Sequence, residues 1–137
     1  VKVIPVQVNG LQQAIPTALR CYKFDATVRI TVESYDNDIN VAVMGAGGMS
    51  HQLHGERFGH LNTEFDNWFL DKIETDPQAL CDMTHFELME QAGAEAVELI
   101  MWLTMRGAMT PGAQRIHRNY YAPMTTGMGL ITMQDAA

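Results

Sequence analysis

Ile39-Asn40-Val41-Ala42-Val43-Met44, running directly into Gly45-Ala46-Gly47-Gly48-Met49-Ser50-His51-Gln52, is the stretch on which the fold turns. The first six residues are mostly apolar. A turn at Asp36 to Asp38 bounds them on one side and glycines bound them on the other, which is the length and punctuation of a buried strand. Upstream, Val1 to Val8 alternates, with Val1, Val3, Val6 and Val8 apolar against Lys2 and Gln7, and reads as another strand. Pro5 has no N–H to give a ladder, which places that strand at an edge or at an irregularity. Between the two, Pro16 is placed to open a helix. Ile15, Leu19, Tyr22, Ala26 and Ile30 then recur every three or four residues as one apolar stripe, against the weaker helix preference of the β-branched residues Thr27, Val28, Ile30, Thr31 and Val32. Strand, helix and strand of these lengths make a βαβ unit, a parallel pair joined by a right-handed crossover.

Downstream the pattern is helical. Asn62 or Thr63 can cap a helix that carries Phe65, Trp68, Phe69 and Ile73 on one side. Asp76-Pro77 opens a short helix, and Thr84 to Glu87 has the spacing of a capping box. A further helix runs from about Ala92 to Arg106, with Gly107 at its C′ position and Pro111 soon after. Gly127 to Met133 reads as a last strand. The expected fold is α/β: a central, mostly parallel or mixed sheet flanked by helices, with a helical second half and a late C-terminal strand. No linker interrupts it, so residues 1–137 read as a single domain.

Composition narrows the function. A chain of 137 residues that is 47% hydrophobic and 18% charged can bury a core. Its net charge of -7 argues against a nucleic-acid partner, which needs clustered Lys and Arg. The longest apolar run, Val97 to Met105, is broken by Glu98 and Thr104. It falls well short of the roughly 20 residues that span a bilayer. Cys21 and Cys81 fit reduced thiols better than a disulfide framework, and no leader pattern is present, so a soluble cytoplasmic domain is expected. The chain opens at Val1 and directly on a strand pattern, as expected of a piece of a longer protein.

Four groups of residues could carry chemistry. The glycines of residues 45–48 follow a predicted strand, at the end of an open α/β sheet where ligands bind, and they would display His51 at its rim. His51 suits proton transfer near neutrality; the plainer reading is a glycine turn followed by a surface histidine. A phosphate loop is disfavoured because no Lys-Ser/Thr pair follows the glycines. Glu98 lies among Val97, Leu99, Ile100, Met101 and Trp102. A carboxylate buried there is costly unless it is paired or holds a metal; otherwise Glu95 and Glu98 form a solvated stripe. His51, His54 and His60 could bind zinc, although no Cys pair or HExxH helix supports it. Tyr120-Tyr121-Ala122-Pro123-Met124-Thr125-Thr126-Gly127 offers hydroxyls and backbone N–H groups to a carboxylate or a phenol, or is an ordinary loop. The methionines read as core filler.

Taken together, these segments resemble the class III extradiol ring-cleaving dioxygenases. The likeness is to the catalytic (beta) subunit of the protocatechuate 4,5-dioxygenase and gallate dioxygenase group, over its carboxy-terminal half. Asn40 to Val43 and Gly47-Gly48-Met49-Ser50-His51-Gln52-Leu53-His54-Gly55-Glu56-Arg57 resemble the family's catalytic histidine segment. Val97 to Gly107 resembles the helix that carries its carboxylate. Arg20 to Tyr22, Val32 to Tyr35, Glu64 to Asp66, Asp76-Pro77 and Tyr120 to Pro123 support the match. The resemblance implies non-haem Fe(II) held by two His and one carboxylate, with O₂ as co-substrate. It implies Glu98 as the iron ligand, His51 as acid/base, and Thr125 and Thr126 as contacts for the substrate's carboxylate end. The substrate would be a catecholic acid of protocatechuate or gallate type, with the ring opened beside the diol. The family's two iron-binding histidines lie ahead of Val1, and none of the five histidines here matches them. A missing amino-terminal half or a second chain is therefore expected to supply them, alongside a possible small alpha-type subunit. The other reading is a non-catalytic truncated relative that binds a small aromatic acid or a protein.

Overall fold

The computed structural model describes residues 2–10, 12 and 14–135. Helix α1, Ala18–Glu33, starts where the Thr17 hydroxyl accepts the Arg20 N–H at 3.2 Å. Helix α2, Thr63–Thr75, is capped by the Asn62 side chain on Phe65 N–H, and its first turn carries Glu64 and Asp66 against the positive end of the helix dipole. Helix α3, Pro77–Cys81, starts on the Asp76 cap with Pro77 in its first turn. Helix α4, His85–Ala92, has the reciprocal Thr84–Glu87 capping box and ends at Gly93, whose φ of 103° suits glycine. A 3-10 stretch, Glu95–Leu99, leads into helix α5, Ile100–Gly107. The chain finishes as an antiparallel hairpin of β1, Gln114–Tyr121, and β2, Met128–Gln134, with an irregularity between Arg115 and His117.

The core lies between these helices. Phe69, Leu70 and Ile73 of α2 meet Leu99, Ile100 and Leu103, with Met49 and Leu80 closing the cluster. The Phe69 ring meets the Trp102 indole edge-on, with centroids 6.1 Å apart. Arg106 is buried in the last turn of α5. Its Nε donates to Ile73 O at 3.0 Å and its Nη1 to Thr110 O at 3.1 Å, so backbone carbonyls satisfy this cation.

The expected βαβ unit does not form. Among the described residues the sheet is the two-stranded antiparallel hairpin, and the fold is a mixed helix-and-strand one without a central parallel sheet. Residues 2–8 and 39–44 are neither strand nor ladder, and Val1 lies outside the described residues. Ile4 is 87% exposed and Met44 90%. Alternation prepares a segment to pair, but the ladder needs a neighbouring backbone, and among the described residues neither segment is paired with one. The α1 stripe is also offset by one residue. Ala18, Cys21 and Asp25 are buried against α5, whereas Ile30 is exposed. The helix expected from Ala92 begins later, because Gly93 ends α4 and the backbone restarts as a tighter 3-10 turn.

Cys21 and Cys81 are free and buried. Burial pushes both thiols up to about 11, with the Asp25 charge adding to the effect at Cys21, and Asp82 and then Cys21 adding at Cys81. At pH 8 roughly a thousandth of either is thiolate, the form that reacts. Iodoacetamide at pH 8 is therefore expected to leave both peptides unmodified in the native protein and to label both after denaturation. Mass spectrometry of the digest reads this out, and rapid native labelling of either peptide contradicts the burial.

Candidate active site

The segment Gly45 to Gln52 is pinned from four directions. The Trp102 indole N–H donates to Gly47 O at 3.0 Å, and Gly48 N–H donates to Glu98 Oε1 at 3.0 Å. Met49 N–H donates to Gly127 O at 3.1 Å, Gly127 N–H to Ser50 O at 2.8 Å, and His51 N–H to Ala92 O at 2.8 Å. Ser50 N–H donates to Asp66 Oδ1 at 2.8 Å. Helices α2 and α5, the end of α4 and the start of β2 thus all converge on one loop.

His51 is held inside this frame, 6% exposed and joined to Thr126 by an isolated antiparallel bridge. It is not the rim residue of a parallel sheet that the glycine pattern predicts, because that sheet is absent and the loop folds inward against α2 and β2. Its Nδ1 lies 2.7 Å from Met49 O. A carbonyl only accepts, so in the neutral ring Nδ1 carries the hydrogen and Nε2 carries the lone pair. That Nε2 faces Glu98 Oε1 at 3.5 Å, beyond a good hydrogen bond.

Glu98 sits in the 3-10 stretch and is half-buried, its side chain 27% exposed. The sequence reading placed it deeper, on an α-helix; from the 3-10 stretch its carboxylate meets the His51 loop at Gly48 N–H. Oε1 accepts from Gly48 N–H, and among the described residues no hydrogen bond reaches Oε2. Glu98 therefore keeps one oxygen for a ligand.

Thr125 and Thr126 are half-buried, in the turn that leads into β2. The bridge brings the Thr126 backbone beside His51, but neither hydroxyl bonds to His51 or Glu98. The other histidines diverge from His51. His54 Nδ1 pairs with Glu95 Oε1 at 2.9 Å on the surface, a contact that holds the Glu95 carboxyl below its usual range. His60 Nε2 lies 2.9 Å from Arg57 Nη2 and 3.0 Å from Gln91 O. Among the described residues no three His, Cys, Asp or Glu side chains gather as a metal site. The donors present fit iron as one carboxylate ligand of a larger set, not as a complete site. A depression of about 410 Å³ lined by Asn62, Phe65, Trp68 and Gln91 includes neither His51 nor Glu98.

The sequence reading missed the group behind the loop. Asp66 accepts the Ser50 hydroxyl at 2.6 Å and the Tyr120 hydroxyl at 2.7 Å on Oδ2, and the Ser50 oxygen in turn accepts Asn62 N–H at 2.9 Å. Burial and then the bond to Asp66 push the Tyr120 phenol up. An acidic residue in the first turn of an amphipathic helix looks like ordinary dipole complementation, so the pattern alone gave no sign of this contact.

Comparison with known proteins identifies the family of the chain. Residues 1–131 match the family described as the catalytic LigB subunit of aromatic ring-opening dioxygenase. The chain is 44% identical over 135 residues to a gallate dioxygenase of Pseudomonas putida, a match that covers 98% of this chain and 40% of that protein. The chain thus spans about two fifths of the length of this relative. With residues 1–131 matched, it belongs to the family of catalytic LigB subunits of aromatic ring-opening dioxygenases.

Proposed function

We propose that this chain is the carboxy-terminal part of an Fe(II)-dependent extradiol dioxygenase that opens the ring of a catecholic acid of gallate or protocatechuate type. The observation that carries the reading is the pairing of a buried His51, its Nε2 lone pair bare, with a Glu98 carboxylate 3.5 Å away that keeps a free oxygen. Glu98 is one iron ligand. Two histidines from the rest of the longer protein or from a partner chain complete the set, and a small alpha-type subunit accompanies it. Held in part by Glu98, Fe(II) would supply Lewis acidity to the substrate hydroxyls and open positions for substrate and O₂.

The residues of this chain do the rest. His51 Nε2 takes a proton from a substrate hydroxyl. The resulting imidazolium is steadied at Nδ1 by the Met49 carbonyl and at Nε2 by the nearby Glu98 charge. The same nitrogen returns the proton as the ring opens. Burial of His51 keeps water from that exchange. Thr125 and Thr126 hydrogen-bond the substrate's carboxylate end. The two buried free thiols fit a cytoplasmic setting, and no described helix is long and apolar enough to cross a membrane.

A second reading is a non-catalytic module for a small aromatic acid or a protein, favoured by the incomplete metal-ligand set among the described residues. Oxygen uptake separates the two. The longer protein, loaded anaerobically with Fe(II) and given gallate or protocatechuate, is expected to consume O₂ and form a yellow ring-opened product. Iron-loaded protein that consumes no O₂ with either acid favours the binding module.

A further inference from the structure

We propose that Asp66 is a positioning residue for His51, acting through the peptide group that joins Met49 to Ser50. The inference rests on the acid/base role given to His51 above. Asp66 is fully buried, and among the described residues no salt bridge reaches it. All three bonds it accepts come from uncharged donors: Ser50 N–H, the Ser50 hydroxyl and the Tyr120 hydroxyl. Burying a carboxylate with no cationic partner is costly. The start of α2 does not require it, because Asn62 already caps the helix and Glu64 already complements its dipole.

Connectivity supplies the reason. The Ser50 N–H held by Asp66 and the Met49 C=O that accepts from His51 Nδ1 are the two ends of one planar peptide unit. Fixing the N–H end fixes the direction of the carbonyl, and through it the plane and tautomer of the His51 ring. A carboxylate on the N–H also polarises the unit and strengthens the carbonyl as an acceptor. The flanking backbone groups, Met49 N–H and Ser50 C=O, are already committed to Gly127. Asp66 is what sets the peptide between them. The Ser50 hydroxyl, bonded to both Asp66 and Asn62 N–H, ties this unit to the first turn of α2.

The test is the tautomer of His51 in the metal-free longer protein, read by ¹⁵N NMR of histidine-labelled samples at a pH where the ring is neutral. His51→Ala identifies the resonance. In the parent protein, His51 is expected as the Nδ1–H form alone. Asp66→Ala is expected to give a mixture of tautomers and to lower kcat about 10- to 100-fold, with KM within about threefold and iron content unchanged. Asp66→Asn keeps an oxygen for Ser50 N–H and turns its amide to the two hydroxyls. It is expected to keep the single tautomer and most of kcat, the rescue that a geometric role demands. Tyr120→Phe removes a bond remote from the peptide, so it is expected to lower Tm without changing the tautomer. Should Asp66→Ala fail to fold, Asp66→Leu, of similar shape and without an acceptor, makes the same comparison. An Asp66→Ala or Asp66→Leu protein with a single tautomer and the parent's kcat overturns the inference while leaving His51 its role. Full turnover in His51→Ala removes that role itself.

Discussion

In the longer protein, His51→Ala is expected to keep its iron and to lose turnover by about 10²- to 10⁴-fold, whereas Glu98→Ala is expected to lose the iron. The asymmetry follows from what each side chain offers. His51 commits Nδ1 to Met49 O and presents a single basic nitrogen, so its removal would take away the proposed proton acceptor and little else. Glu98 commits one oxygen to Gly48 N–H and leaves the other unbonded among the described residues. If Glu98 is the proposed third protein ligand, its loss is expected to weaken iron binding by more than about 100-fold, because even the outer partners of metal ligands are worth about 10- to 100-fold. Iron assayed after desalting, with oxygen uptake on the same samples, distinguishes the two variants. Normal turnover in His51→Ala, or parental iron content in Glu98→Ala, removes the assigned role.

Gly48→Ala is expected to cost about 100-fold in kcat while leaving the protein folded. A β-carbon there would stand 2.8 Å from His51 Cε1, 3.1 Å from His51 Nδ1 and 3.1 Å from Glu98 Oε1. All three are inside normal contact distance. The backbone has little room to retreat, because the Gly48 N–H is bonded to Glu98 and the Gly47 carbonyl to Trp102. The ring must therefore swing, breaking its bond to Met49 O, and misplacing a catalytic group by about 1 Å costs rates of this order. Stability is expected to fall by about 1–3 kcal/mol, as for other overpacked sites. Steady-state kinetics and a thermal melt on one preparation check both figures. Activity within threefold of the parent contradicts the close packing of this site.

What the sequence made legible was local. Asn62, Asp76-Pro77 and the Thr84–Glu87 pair mark helix starts because a cap and its N–H lie within three residues of each other. His51 stands out in the sequence by its glycine loop and Glu98 as an acid among apolar neighbours, and the structure brings the two within 3.5 Å. What sequence left hidden was pairwise and distant. Residues 39–44 have strand composition but no partner, and β1 has the polar, exposed sequence Gln114-Arg115-Ile116-His117-Arg118 and becomes a strand only beside β2. Asp66 looks like any first-turn acid until Ser50, sixteen residues earlier, and Tyr120, fifty-four later, close around it. The 3-10 turn at Glu95–Leu99 was hidden for a related reason: its pattern is that of the helix it precedes, and only the Gly93 break sets it apart.

The two backbone bonds between residues 49–50 and Gly127 also bear on how the protein is made. A chain leaving the ribosome can start α1 and α2 early, since their caps are close in sequence, although α1 packs mainly on α5, which is made much later. The His51 loop must wait for Gly127, more than seventy residues later, before its last bonds can close. Until then the glycine segment lacks two of the backbone bonds that set its shape around His51. A frameshift or nonsense codon after Tyr121 would keep every described helix in the chain and yet remove both Gly127 bonds that hold the loop around His51.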